Sequence, residues 1–333
     1  MSEPKLGVVA AGNALVDVLA QTDDAFITQQ AEEHGMEKGA MTLIDEVRAV
    51  QLYTQMPEGV ESSGGSGGNT MAGFASFGGQ GGFIGKVADD DLGKTFQSDL
   101  RNMGIQFDTQ PLVMGAKTGR CLILVTPDAE RTMNTFLGAS VELSPNDIDE
   151  DLISNAQVTY LEGYLFDKET AKAAFIKAAE TAHNAGHRVA LTLSDPFCVD
   201  RHRSDFLRLV ESHVDILFAN EDEIKSLYMQ ESFEDAINAV SEHVEIAAIT
   251  RGEQGAVIIK DGEQIKIDAV PVDTVVDTTG AGDQFAAGFL YGFTEGKDAE
   301  TCGKLGALAA AEVISHMGPR PETAYKDFLA KAA

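Results

Sequence analysis

The sequence predicts an α/β fold: a mostly parallel sheet with helices on both faces, and a small β layer beside it. Three observations carry that expectation. Short apolar runs recur along the 333 residues with longer amphipathic stretches between them, as buried parallel strands joined by helices require. Residues 106–137 break this alternation, with turn signals and no intervening helix. No Pro-rich or low-complexity linker and no fixed-period repeat divides the chain, so one domain spanning 1–333 is expected.

The first run, LGVVAAG (6–12), reads as a buried strand, and the following 13–20 keeps a strand-like character. A helical pattern at 24–34, a strand-like piece within 36–44 and a second helical pattern at 45–55 come next. The stretch SSGGSGGNTMAGFASFGGQGGFIG (62–85) has the composition of a flexible linker. Against that, Asn69–Phe77 is apolar and helix-forming, and a buried strand, GGFIGKV (81–87), follows at once. After a helix at 91–103, the alternation in 106–137 suggests an antiparallel hairpin. Together with segments 13–20 and 36–44 it would form a small β-sheet, either a cover for an active site or a plain edge hairpin. Strands are then expected at 158–163, 188–194, 214–220 and 245–250, with helices at 168–185, 200–211 and 232–243. The chain closes with a hairpin (255–260, 263–268) and helices at 281–294, 298–315 and 322–331.

Composition narrows the function classes. With 44% hydrophobic and 23% charged residues the chain suits a soluble globular protein. The 53 acidic against 25 basic residues give a formal net charge of −28. Such a molecule repels phosphate backbones and anionic lipid, so neither nucleic acid nor membrane is an expected partner. Cys121, Cys198 and Cys302 lie far apart without a CxxC, which disfavours a disulfide framework or zinc finger and suits a reducing cytoplasm. The N-terminus shows no signal-peptide pattern, and no apolar run approaches the roughly 20 residues of a membrane span.

Chemistry concentrates in DTTGAGDQFAAGFL, Asp277–Leu290. Gly280, Ala281 and Gly282 open a long apolar-periodic helix, where unobstructed N–H groups and the macrodipole can hold an anion without a basic side chain. Asp283 falls in the first turn beside that anion site. A carboxylate there is suited to accept a hydroxyl proton during phosphoryl transfer; alone it could equally stabilise the helix start. Asn69, after the glycines, can donate to and accept from hydroxyls. FIGKV fails the phosphate-loop pattern twice, since position 80 is Gln and Val87 follows the lysine, and no GxGxxG occurs. Weaker features are Asn13 and Asp17 at the end of the first strand, which suit either vicinal hydroxyls or, taken singly, a turn Asn and a solvent-facing Asp, and Asn220 and Glu223 at a strand-to-helix junction. The latter pair fits either a hydrated Mg²⁺ or a capping arrangement. Thr250 and Gly252 follow another strand end, and Arg131 in the β layer could reach transferred charge or simply face solvent.

With these motifs in view, the sequence resembles the ribokinase-like (PfkB) family of sugar and nucleoside kinases. The carriers are DTTGAGDQFAAGFL, GGSGGN (64–69) and the order of GNALVD, NEDE and ITRGEQG, and the resemblance covers essentially the whole chain. Met71 stands where many sugar kinases have a small residue, a departure shared by the adenosine kinases. GNALVDV, KTGRCLILVTPDAERTMNTFLGAS and TLSDPF also look like that subgroup.

The resemblance implies a three-layer α/β/α fold with a β-sheet lid, and ATP- and Mg²⁺-dependent phosphorylation of a primary hydroxyl. The acceptor would be a nucleoside, adenosine first, or a ribose- or fructose-type sugar; the alternative from another class is a non-catalytic nucleoside-binding protein on the same scaffold. It further implies that Asn13, Asp17, Gly64, Gly65 and Asn69 bind ribose hydroxyls. Leu15, Met133, Leu137, Leu165 and Phe197 would line a base pocket. Asp283 would be the base, Gly280–Gly282 the anion hole, and Arg131 a lid arginine. Asn220 and Glu223 would organise Mg²⁺ and phosphates, with Thr250 and Gly252 beside ATP. Asp277, Thr279 and Gly318 would surround K⁺. Glu162 in YLEGYLF has no assigned place, and monomer and homodimer are both compatible with the sequence.

Overall fold

A computed structural model describes residues 4–128 and 130–329. Strands β1 (Leu6–Ala11), β5 (Gly81–Ile84), β8 (Ala156–Glu162), β9 (Arg188–Thr192), β10 (Ile216–Asn220), β11 (Ile246–Thr250), β12 (Ala256–Lys260) and β13 (Glu263–Ile267) form one large sheet. The order is β13-β12-β11-β10-β9-β8-β1-β5. The six strands from β5 to β11 are parallel, and β12 and β13 add antiparallel at one end. A second, five-stranded sheet has the order β3-β7-β6-β2-β4. Its members are β2 (Leu15–Gln21), β3 (Met41–Leu43), β4 (Val60–Gly64), β6 (Gly119–Val125) and β7 (Arg131–Phe136).

Alternation along the strands builds the layers. Val9 and Ala11 of β1 join one core with Leu191, Leu217 and residues of helices 169–184, 196–213, 221–228 and 233–240. Val8 and Ala10 join the opposite core with Phe74, Phe285, Ala287 and Phe289, from helices 66–76 and 281–294. This is the ribokinase-like three-layer architecture. In the small sheet, Leu19, Cys121, Ile123 and Met133 gather with Met317 on one face. Val16, Val18, Leu122 and Leu124 share the second core with Ile27 and Leu52 of helices 24–34 and 46–55.

Some boundaries differ from the sequence expectations. The β-like segment 106–118 does not enter the small sheet. It runs beside β5, where Phe83 N–H donates to Gln106 O (2.8 Å) and Gln106 N–H to Gly81 O (3.0 Å). Its partner is an open strand edge that apolar periodicity cannot reveal. Strand β4 went unforeseen because VESSG lacks the apolar alternation of a strand. The expected helix at 322–331 is a short 3₁₀ turn, Tyr325–Phe328, after the conformationally restrictive Pro319 and Pro321; residues 330–331 lie outside the described residues.

Candidate active site

Strand β1 has β5 on one side and β8 on the other, so the chain reverses its direction of travel across the sheet there. Open α/β sheets offer a crevice at the carboxyl ends of such strands. Glu162 ends β8 in this crevice and is 1% exposed. Its carboxylate accepts from the Asn13 N–H (3.2 Å), Asn13 Nδ2 (2.9 Å) and the Gly67 N–H (2.8 Å). Burial nevertheless pushes its pKa up to about 7. Asn13 is therefore held on both sides, since its Oδ1 accepts from the Ser140 hydroxyl at 2.8 Å.

Two helix starts meet above this point. Helix 66–76 begins at Gly65, with φ of 80°, and helix 281–294 at Gly280, with φ of 79°. A Cβ on Gly65 would stand 2.3 Å from the Asn13 carbonyl oxygen, so only glycine allows that approach. Asp283 Oδ1 accepts from the Ser66 hydroxyl (2.6 Å) and Oδ2 from Asn69 Nδ2 (3.3 Å). Gln284, fully buried, donates to the Asn69 and Pro319 carbonyls (3.0 and 2.8 Å), tying the two helices together. Desolvation raises the Asp283 carboxyl to about 6, against the lowering by Ser66 and Asn69. A Cβ on Gly282 would meet nothing within 4 Å, so the first turn is open to a ligand.

The small sheet contributes Asp17 and Arg131. Burial raises Asp17 to about 6, although Arg320 and Arg131 oppose the shift, and Gly64 lies against it where a Cβ would come 2.3 Å from its carboxyl carbon. Arg131 Nη1 stands 2.6 Å from Asp277 Oδ2, both residues being 8% exposed. Its Nε and Nη2 have no hydrogen-bond partner, an arrangement that fits a phosphoryl group. Asp277 also accepts from the Thr279 N–H (3.0 Å) and the Gly318 N–H (2.9 Å). A carboxylate so surrounded by N–H donors and a guanidinium does not fit a monovalent cation in this arrangement. Arg320, which the sequence reading overlooked, donates to Asn69 Oδ1 (3.3 Å), Ser63 Oγ (2.8 Å) and Asp99 Oδ2 (3.1 Å).

Asn220 and Glu223 form a reciprocal cap: Asn220 Oδ1 accepts from the Glu223 N–H (2.8 Å), and Glu223 accepts from Asn220 N–H and Nδ2 (2.9 and 2.7 Å). Burial raises Glu223 to about 7. Asn220 pairs in register with Thr250, which brings the NEDE and ITRG turns side by side, and Gly252 (φ 56°) has open space around its Cα. Among the expected base-pocket residues, Leu15 and Met133 share the crevice-side face of the small sheet with Asp17 and Arg131. Leu137 caps β7, its carbonyl accepting from Ser140. Leu165 is 1% exposed, within the core beneath helix 169–184, and so offers no surface to a ligand; Phe197 projects outward, 79% exposed. Lys86 of the failed phosphate-loop pattern is paired with Asp147 at 2.5 Å. No cluster of three or more His, Cys, Asp or Glu suited to a metal occurs among the described residues.

Residues 39–324 match the family profile described as pfkB family carbohydrate kinase. The chain belongs to that family. A pfkB kinase is a phosphotransferase acting on hydroxyl groups of sugars and nucleosides, and it takes ATP and a small-molecule acceptor. The chain is 48% identical to the solved adenosine kinase of Sinorhizobium meliloti, covering 99% of this chain and 100% of that one, with a TM-score of 0.90. A probable sugar kinase from Rhizobium etli CFN 42 is 47% identical, covers 99% of both chains and also superposes with a TM-score of 0.90. The 5-dehydro-2-deoxygluconokinase of Bacillus subtilis is 29% identical over 81% of this chain and 87% of its own. As a sugar or nucleoside kinase, the pfkB protein has no helix among its described residues long and apolar enough to cross a membrane.

Proposed function

We propose that this pfkB kinase transfers the γ-phosphoryl group of ATP to the 5′-hydroxyl of adenosine, a purine-salvage reaction of the cytoplasm. The observation that carries the reading is the whole-chain likeness, at 48% identity, to the Sinorhizobium meliloti adenosine kinase. Met71, fully buried under β1 and β5, is consistent with it. A sugar acceptor is the second reading, favoured by the Rhizobium etli and Bacillus subtilis relatives.

In the proposed reaction Asp283 accepts the proton of the acceptor hydroxyl as its oxygen forms the new bond to the γ-phosphorus. The bond from that phosphorus to the β-γ bridging oxygen breaks, and ADP leaves with the electron pair. The first-turn N–H groups of Gly280 and Gly282 and the free donors of Arg131 meet the charge on the transferred group, and the Ala281 N–H would join them only by leaving the Thr278 carbonyl. Asp17 lies in the crevice to receive sugar hydroxyls, and the small sheet acts as a lid excluding water. Asn13 would receive them only by exchanging its bonds to Glu162 and Ser140. Bound Mg²⁺ would neutralise phosphate charge, held through water by Glu223, whose carboxylate keeps lone pairs beyond its two bonds to Asn220. Thr250 and Gly252 flank the nucleotide, and no role is assigned to K⁺.

Two measurements test this. Incubation with ATP and a panel of nucleosides and sugars should give the highest kcat/KM for adenosine; turnover of hexoses alone would replace the nucleoside reading with the sugar one. Asp283→Asn should lower kcat by roughly 10²–10⁴-fold while ATP binding, followed calorimetrically, stays near wild type. Undiminished turnover would remove Asp283 from the mechanism.

A further inference from the structure

Arg320 lies outside every motif discussed above, two residues beyond Gly318, and its guanidinium, on a side chain 18% exposed, reaches three separate oxygen acceptors. Nη1 binds Asp99 Oδ2 from helix 91–102, Nη2 binds Ser63 Oγ at the end of β4, and Nε binds Asn69 Oδ1. Asp99 is itself fixed, because Oδ2 also accepts from the Ser63 N–H (2.8 Å) and hydroxyl (2.6 Å). The planar fork is therefore aimed by two anchors that belong to the scaffold, and its third donor reaches the site.

Asn69 receives what that donor imposes. A carboxamide can rotate by half a turn and exchange its oxygen and nitrogen with little change in shape. In the observed sense, the oxygen faces a guanidinium donor and the Nδ2 faces the Asp283 carboxylate at 3.3 Å. In the reversed sense, an NH₂ would oppose the guanidinium and a carbonyl oxygen would oppose a carboxylate. Both contacts would be repulsive. Asp283 alone would bias the amide; Arg320 secures it from the other side and from a rigid mount.

We propose that Arg320 is a positioning residue for phosphoryl transfer, locking the Asn69 carboxamide so that its N–H group holds the Asp283 carboxylate in line with the acceptor hydroxyl. Arg320 makes its hydrogen bonds to Asn69, Asp99 and Ser63 and not to Asp283; it acts through Asn69. The inference rests on the role proposed for Asp283, which is tested separately by Asp283→Asn, and it does not depend on which acceptor is used.

The test is a double-mutant cycle on kcat with the best acceptor, using Arg320→Met and Asn69→Ala singly and together, with thermal midpoints measured in parallel. Arg320→Met should lower kcat roughly tenfold and leave the KM for ATP within about twofold. In the Asn69→Ala background the same change should cost less than about twofold, since the residue it acts through is gone. Equal losses in both backgrounds, or wild-type kcat in Arg320→Met, would overturn the proposal. If Arg320→Met does not fold, the cycle is read with Arg320→Lys, which keeps the charge and most of the stem. An ammonium donates from a single point and cannot span acceptors that the fork reaches from three separate nitrogens, so the Lys variant should show the same dependence on Asn69. A Lys variant with wild-type kcat would mean that charge alone suffices and would overturn the orienting role. A cycle in which kcat simply follows the thermal midpoint would reduce Arg320 to a structural tie.

Discussion

Asp283 accepts two hydrogen bonds and still sits where its charge is disfavoured, and the same holds for Glu162, with three bonds, and Glu223, with two. Two opposite pH trends follow. In the proposed reaction Asp283 acts in its ionised form, so kcat should fall as pH drops through about 6. Stability moves the other way. Asp17, Asp283, Glu162 and Glu223 titrate higher in the folded chain than in the unfolded one, so the folded state binds more protons between about pH 4 and 7. The thermal midpoint of the ligand-free protein should therefore decline from pH 5 to pH 8; a rising midpoint would show that these carboxyls are ionised without penalty. Glu162→Gln tests one of them directly. Its amide would set a donor against Asn13 Nδ2, at a cost of about 1–3 kcal/mol in unfolding free energy, with a raised KM for the acceptor. Sequence reasoning singled out Asn13, Asp17, Asn69 and Asp283, which the fold brings together, because each sits in a local motif. It left Glu162 without a place and missed Arg320 and Ser66, since their meaning lies in contacts spanning 95 to 257 residues that no local pattern encodes.

Helix 281–294 is presented at one end and clamped along its side. Gly288 and Gly306 let it lie directly on helix 299–313: a Cβ at Gly288 would stand 2.5 Å from the Leu305 carbonyl oxygen. Gly288→Ala should force the helices apart and destabilise the protein by about 1–3 kcal/mol, read from the urea midpoint. Gly282→Ala is the counterpart at the open end. Its methyl group meets no protein atom and alanine is the better helix former, so stability should hold or rise by up to about 1 kcal/mol. The methyl would nonetheless occupy the space proposed for phosphate, and kcat should drop. Loss of stability with intact turnover would contradict the arrangement. At this scale the large sheet was legible, because its strands are apolar runs flanked by amphipathic helices. Strand β4 and the course of 106–118 were not, because edge pairing is set by what lies alongside rather than by periodicity.

The whole molecule carries a net charge of −28, yet the candidate phosphate site depends on N–H groups and very few cations. Arg131 and Arg320 are already committed to Asp277 and Asp99. With so little free positive charge, ATP turnover should collapse in excess chelator and return with Mg²⁺; full activity in chelator would show that the protein alone neutralises the phosphates. Arg131 also ties the small sheet to the Gly280–Gly282 turn, since it belongs to β7 and Asp277 precedes that turn. Arg131→Met should lower kcat and raise the rate at which ATP is hydrolysed without acceptor, measured as uncoupled ADP release.

The segment 106–112 has a separate consequence for how the protein behaves in a crowded solution. By hydrogen bonding along β5 and its continuation, it closes a ladder that another chain could otherwise extend. At the opposite end of the sheet, β13 turns Glu263, Gln264 and Lys266 to solvent, a charged fringe that resists the same event. Neither end of the eight-stranded sheet is thus left as a bare template for edge-to-edge pairing.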